Sequence, residues 1–255
     1  MADLGASIAW GLVVGGSLLV GATAAVILRL PSSVAALVTA FGGGVLFAAI
    51  ALELVPEADT RAGTALTAAG LVAGTLIYVA ADRWLARDED IETMRRSSHA
   101  AAAGMRREMH EGSSELARGK GIAAGIFVDG VPESIALGLT ITEGAVSVAL
   151  LAGILIGNVV ESYGAAQPIL AAGSSRRFAV ILLGAIGLAL AFATVLGGTI
   201  FADASDGLVG TAQAVAAGAV LAVISIAVIP YAFKEVSTRV AIATVLGFVV
   251  GYVLS

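Results

Sequence analysis

The sequence predicts an all-α integral membrane protein of eight transmembrane helices. Three observations lead there. Of 255 residues, 58% are hydrophobic and only 13% are charged. The mean hydropathy is +0.98. Apolar runs of about 20 residues, the length that crosses a bilayer, recur along the whole chain. An ordinary soluble domain is about half apolar and a quarter charged, so the composition excludes that class.

The runs fall near 5–28, 33–55, 63–82, 121–141, 145–171, 178–201, 208–232 and 238–254. They are continuous rather than alternating, which excludes barrel strands. Helices remain, because lipid leaves backbone polar groups no other partner. The 32 glycines suit closely packed membrane helices. With no cysteine, disulfides and thiolate metal sites are excluded. The first ten residues, MADLGASIAW, hold no basic n-region and do not read as a cleaved signal peptide.

Basic residues set the expected orientation. With the N-terminus outside, the inner connections hold Arg29, then Arg83 to Lys120, then Arg176 and Arg177, then Lys234 and Arg239. The outer connections hold Arg61 alone. Both termini are therefore expected outside the cytoplasmic membrane. Three parts follow: helices 1–3 in 1–82, a cytoplasmic loop in 83–120, and helices 4–8 in 121–255. The loop mixes both signs and carries the two histidines, His99 and His110, which could bind a passing metal but read first as solvated residues.

The stretch FVDGVPESIALGL, 127–139, places Asp129, Pro132 and Glu133 inside an apolar run. A charge at the bilayer centre costs about 2.5–3.5 kcal/mol on the insertion scale, and it usually faces a protein interior or a wet pathway. Asp129 and Glu133 are four apart, so they share one helix face. Asp129 falls about 12–14 Å from the inner start of its helix, and Glu133 one turn further, near the midplane. The next helix carries LIGNVVESYGAAQP, 155–168, in which Asn158 and Glu161 are three apart on one face. The short connection makes these helices antiparallel neighbours, so the four polar groups are expected at one depth. GVPES at 130–134 and NVVES at 158–162 share Val, Glu and Ser, a weak repeat of the kind that marks a midplane site in transporters. Pro132 lacks an N–H and leaves the Val128 carbonyl without its helical partner. The pattern reads as a cation site: metal ligands Asp129, Glu133, Asn158 and Glu161. The alternative is protonated carboxyls that join the helices as packing contacts. Two further acids sit at helix ends: Glu53, which either lines an opening or is a simple interface residue, and Asp82, which reads as a boundary partner of Arg83.

These strings resemble the ZIP (Zrt/Irt-like) divalent-metal transporters. The resemblance lies in DGVPES (129–134), GNVVES (157–162), ELVPEA (53–58), AVIPYAFKE (227–235) and the eight-helix plan with a long loop after helix three. It implies transport of a divalent cation of the Zn, Mn, Fe or Cd class toward the cytoplasm, with helices one, four, five and six moving against the rest, commonly in a homodimer. The metal is cargo, and no cofactor is expected. The other partner is the lipid bilayer; no nucleic acid is expected. The sequence departs from the family where a helix-four histidine is Asp129, its asparagine is Gly130, a helix-five His or Gln is Gly157, and a helix-six glutamate is Thr194. One oxygen-rich site would remain. Carboxylates suit harder cations, though zinc also accepts them, so broad selectivity is expected. Three carboxylates facing one dication leave surplus charge, so a proton is expected to stay or to exchange.

Two competing readings are a non-transporting sensor or scaffold of the same fold and an intramembrane enzyme. With no cysteine, no histidine in the membrane and no G-x-S-x-G elbow, only a carboxylate-pair hydrolase would be left for the second. The expectation is that the chain is not an enzyme.

Overall fold

The computed structural model describes residues 4–28, 30–85, 115–142, 146–171, 173–201 and 203–255. The two histidines and most of loop 83–120 lie outside them. The described residues form eight helical rods and no strand. In chain order they are α1 (Leu4–Ile27), α2 (Ser32–Ala62), α3 (Thr64–Leu85), α4 (Glu115–Thr142), α5 (Val148–Ala171), α6 (Arg176–Ile200), α7 (Asp206–Val236) and α8 (Arg239–Leu254). All but α4 and α8, six in number, are long and apolar enough to cross a membrane. Of the eight spans expected, α4 carries Asp129 and Glu133 in its apolar run, and α8 has only 16 residues. This is the build of a multi-pass membrane protein. Large apolar side chains face outward along the rods, among them Leu76 on α3, Phe192 on α6 and Ile242 and Val253 on α8. An outward surface of this kind needs lipid around it.

Local chemistry sets the ends of the rods. Ser175 caps α6 by accepting from the Phe178 N–H at 3.0 Å. Tyr163 of α5 staples the turn between α1 and α2: its hydroxyl accepts from the Leu30 N–H at 2.8 Å and donates to the Leu28 carbonyl at 3.3 Å. A single residue, Gly63, breaks α2 from α3 with φ +79°. That conformation is open to glycine and costly for other residues.

Packing follows a repeat that runs through the whole bundle. Helix α1 packs on α6 and α5, α2 on α8 and α5, α3 on α7, and α4 on α6 and α7. This pattern is unchanged when α1 is exchanged with α6, α2 with α7, α3 with α8 and α4 with α5. The details agree. Both α2 and α7 contain a π-helical turn, Ile50–Leu54 and Ile224–Val228, and each turn is followed by a proline, Pro56 and Pro230. A π turn shifts the helix register, and such turns are frequent at functional sites. A Cβ at Gly44 would run into the Thr244 carbonyl, and one at Gly247 into Phe41. The matching pair holds α7 to α3: Gly218 meets the Leu71 carbonyl and Gly74 that of Val215. The breaks match too, since Ser237 has φ +51° where its counterpart Gly63 is also positive.

The contacts also give directions. Gly11 meets Ala191, Gly15 meets Gly187 and Ser7 meets Gly198, so α1 and α6 are antiparallel. Gly130 meets Leu190 and Gly138 meets Gly197, so α4 and α6 are parallel. Each helix reverses its predecessor, and the two three-helix units are inverted relative to one another, with α4 and α5 between them.

Candidate functional site

Helix α4 continues through Pro132. Its inward face buries Asp129, the adjacent Glu133 and Ser134, and Gly138, so successive turns of the helix each bury a residue on that face. The small residues let α6 approach: Gly130 lies against Leu190 and Gly138 against the Thr194 carbonyl. Helix α5 buries Asn158 and Ser162, while Glu161 between them is half-buried. Asp129 and Glu133 are therefore buried between helices, and Glu161 is half-buried.

Asp129 is only 4% exposed and Glu133 only 7%. Glu133 stands within electrostatic reach of Glu161 first and of Asp129 second. The four predicted ligands are nevertheless not gathered into one finished shell. Asp129 Oδ1 accepts a hydrogen bond from the Tyr78 hydroxyl of α3 at 2.7 Å. The Asn158 side-chain amide donates to the Val14 carbonyl of α1 at 3.4 Å, a long bond. Among the described residues, no three of His, Cys, Asp and Glu come close enough together to hold a metal ion. The reason lies in the neighbours: α4 and α5 each pack mainly on a helix other than one another. Asp129 of α4 is bonded to α3 and Asn158 of α5 to α1.

Thr194, which stands where the resemblance expects a glutamate, is fully buried on α6 and donates to its own helix at the Leu190 carbonyl, 3.2 Å away. Ser134, beside Glu133, is fully buried, and its hydroxyl has no hydrogen-bond partner among the described residues. Gly157 faces open space, with nothing within 4 Å of a Cβ built there. Asp82 is half-buried at the end of α3, next to exposed Arg83.

Glu53 lies on the π turn of α2 and lines a pocket of about 410 Å³. Glu57, Thr140, Ser147 and Gln213 line it too, so it opens at the end of the bundle where α4 finishes and α5 begins. The C-terminal Ser255 lies at the same end. Arg61 stands at this end as well, with its Nε 2.6 Å from Glu57 and a guanidinium nitrogen 3.5 Å from Asp206. The sole basic residue expected at the outer connections is thus matched to two carboxylates.

The residue that sequence reasoning missed is Tyr78. It is 2% exposed in the middle of an apolar helix. A buried tyrosine hydroxyl requires a partner, and that rule was the available signal. No model of a known protein family matches the chain, and no match to it is found among curated proteins.

Proposed function

We propose that this protein carries divalent cations across the cytoplasmic membrane toward the cytoplasm, in the manner of the ZIP-like transporters its motifs resemble. One observation supports this above the others: Glu133 is buried inside a helical bundle within electrostatic reach of both Glu161 and Asp129. Three carboxylates in apolar surroundings are costly as packing contacts. A cation of the Zn, Mn, Fe or Cd class would offset their charge. Asp129, Glu133 and Glu161 supply oxygen ligands, and Asn158 can add its amide oxygen. With no nitrogen ligand in the set, selectivity among these ions is broad. The pocket beside Glu53 is the mouth on the outer side, in keeping with the basic residues at the opposite ends. All eight rods cross the membrane, both termini face out, loop 83–120 is cytoplasmic, and the protein works as a homodimer.

Uptake into proteoliposomes tests the reading. Wild type is compared with the double variant Glu133→Ala, Glu161→Ala for Zn²⁺, Mn²⁺, Cd²⁺ and Fe²⁺. Uptake that disappears in the double variant is expected. Folded wild type that takes up none of the four ions would refute carriage. A second reading, a non-transporting sensor or scaffold, is favoured by one observation: no three acidic residues among those described are assembled closely enough to hold a metal. Uptake by the wild type would remove it.

A further inference from the structure

We propose that Tyr78 is a latch: from α3 it holds the Asp129 carboxylate of α4 until a cation draws Asp129 away. Tyr78 is then a positioning residue, not a ligand. This inference rests on the carrier reading above and adds the step that assembles the site.

The ring of Tyr78 is fixed by α7. It packs in a buried cluster with Ala219, Ala222 and Val223, and Val128 of α4 closes over it. From that socket the hydroxyl reaches across to α4 and donates to Asp129 Oδ1 at 2.7 Å. Both residues are at least 96% buried, so water does not compete for the bond. A hydrogen bond to a carboxylate in such surroundings is among the stronger ones. It also joins two helices that otherwise touch little, because α3 packs mainly on α7, and α4 on α6 and α7.

The repeat shows that packing does not require this bond. The exchange that relates the two halves carries Tyr78 to Gly251 and Asp129 to Gly157. At Gly251, α8 meets α2 through close contact with Ala48 and Val45. At Gly157 there is open space. The counterpart of the α3–α4 contact, α8 on α5, is made with glycine at both of these positions, so the tie belongs to one half only. It sits on a carboxylate that the cation site needs. While Tyr78 holds that carboxylate, one oxygen of Asp129 is committed to the phenol, and among the described residues no group of three such side chains is assembled to hold a metal. Releasing Asp129 adds the third acid.

Tyr78→Phe tests this directly, because phenylalanine keeps the ring in its socket and removes only the hydroxyl. Cd²⁺ binding to the purified protein in detergent is measured by calorimetry. Tyr78→Phe is expected to bind Cd²⁺ roughly tenfold more tightly, about 1.4 kcal/mol, because the cation no longer competes with the hydroxyl. Asp129→Asn still accepts from Tyr78 but carries no charge, and is expected to bind at least tenfold more weakly. The chain has no cysteine, so spin labels can be placed at two introduced cysteines, Trp84→Cys on α3 and Phe127→Cys on α4, both at exposed positions. The metal-free distance distribution of Tyr78→Phe is expected to move toward that of Cd²⁺-loaded wild type. Binding by Tyr78→Phe that is unchanged or weaker, in folded protein, overturns the latch and leaves the carrier reading standing. Binding unaffected by Asp129→Asn overturns it as well. Wild type that binds no Cd²⁺ and takes up none removes the carrier reading, and the latch falls with it.

Discussion

Alanine at Gly44 and alanine at Gly218 should damage the protein equally, although the two positions lie on different helices. The new Cβ at Gly44 would fall on the Thr244 carbonyl, and the one at Gly218 on the Leu71 carbonyl. Both obstacles are backbone atoms of a neighbouring helix, so neither can rotate away. The helices must move apart instead, and overpacking of this kind costs about 1–3 kcal/mol. Helix propensity works in the other direction, since alanine in place of a helical glycine is favourable by about 0.8–1.0 kcal/mol in an unobstructed position. Gly16 supplies that comparison, because a Cβ there meets nothing within 4 Å. The net expectation is a loss of up to about 2 kcal/mol at Gly44 and at Gly218, and no loss at Gly16. Thermal unfolding in detergent, followed by the fluorescence of Trp10 and Trp84, reads the difference. Gly44→Ala and Gly218→Ala should melt several degrees below wild type and close to one another, with Gly16→Ala at or above it. If the two repeat-related variants differed as much from each other as from Gly16→Ala, the contact symmetry would not govern packing, and the inverted repeat would carry no energetic meaning.

Glu133→Gln should weaken cation binding more than Asn158→Ala does, because Glu133 stands within reach of two other acids while the Asn158 amide is directed to α1; calorimetric Cd²⁺ affinities in the opposite order would remove Glu133 from the centre of the site. Gly157→His fills open space with an imidazole, so competition uptake should shift toward Zn²⁺ over Mn²⁺, and an unchanged ranking would place Gly157 outside the ligand set. Ser237→Gly relieves a positive φ of 51° and should raise stability by about 1 kcal/mol, read as a higher melting temperature; a fall would mean that the serine side chain contributes more than the strain costs.

Much of the fold was legible because its cause is local. Continuous apolar runs give helices wherever lipid is the solvent, and the eight rods stand close to the runs that carry them. Some boundaries moved. Helix α2 extends through Glu57 and Arg61 to Ala62, beyond the apolar run that ended near residue 55, because the pair formed by Arg61 and Glu57 spans one turn and suits a helix. The repeat was visible only in part. GVPES and NVVES gave the relation between α4 and α5, but the larger relation, α2 to α7, rests on Pro56 and Pro230 following a π turn in otherwise unlike sequence. LVPEA and VIPYA share only a proline and an alanine in register. The rest of that symmetry is backbone contact at glycines, and a glycine in a membrane helix does not name the helix it touches.

The site divides along the same line. Asp129 and Glu133 could be read directly, because a carboxylate in an apolar run costs too much to be incidental. Where each side chain turns could not be read, since that depends on donors brought from other helices. Tyr78, embedded in LVAGTLIYVAAD, looks like one more large side chain for packing, and its ring does pack, against Ala219, Ala222 and Val223. Only its hydroxyl matters to the site, and only because α3 lies near α4. The same holds for Asn158, whose amide finds the Val14 carbonyl. A carboxylate cluster on two helices is therefore not by itself a coordination shell. On the carrier reading, Asp129, Glu133 and Glu161 create the demand for a cation, and the hydrogen bonds to α3 and α1 decide how much of that demand is already met. If Tyr78 meets part of it, affinity in this protein is tuned by a residue that touches no metal, and the aspartate at 129, where the resemblance expects a histidine, gains a physical reason. A carboxylate can be held by a phenol and then released to a cation, whereas a neutral imidazole ligand has one acceptor nitrogen and cannot serve both at once.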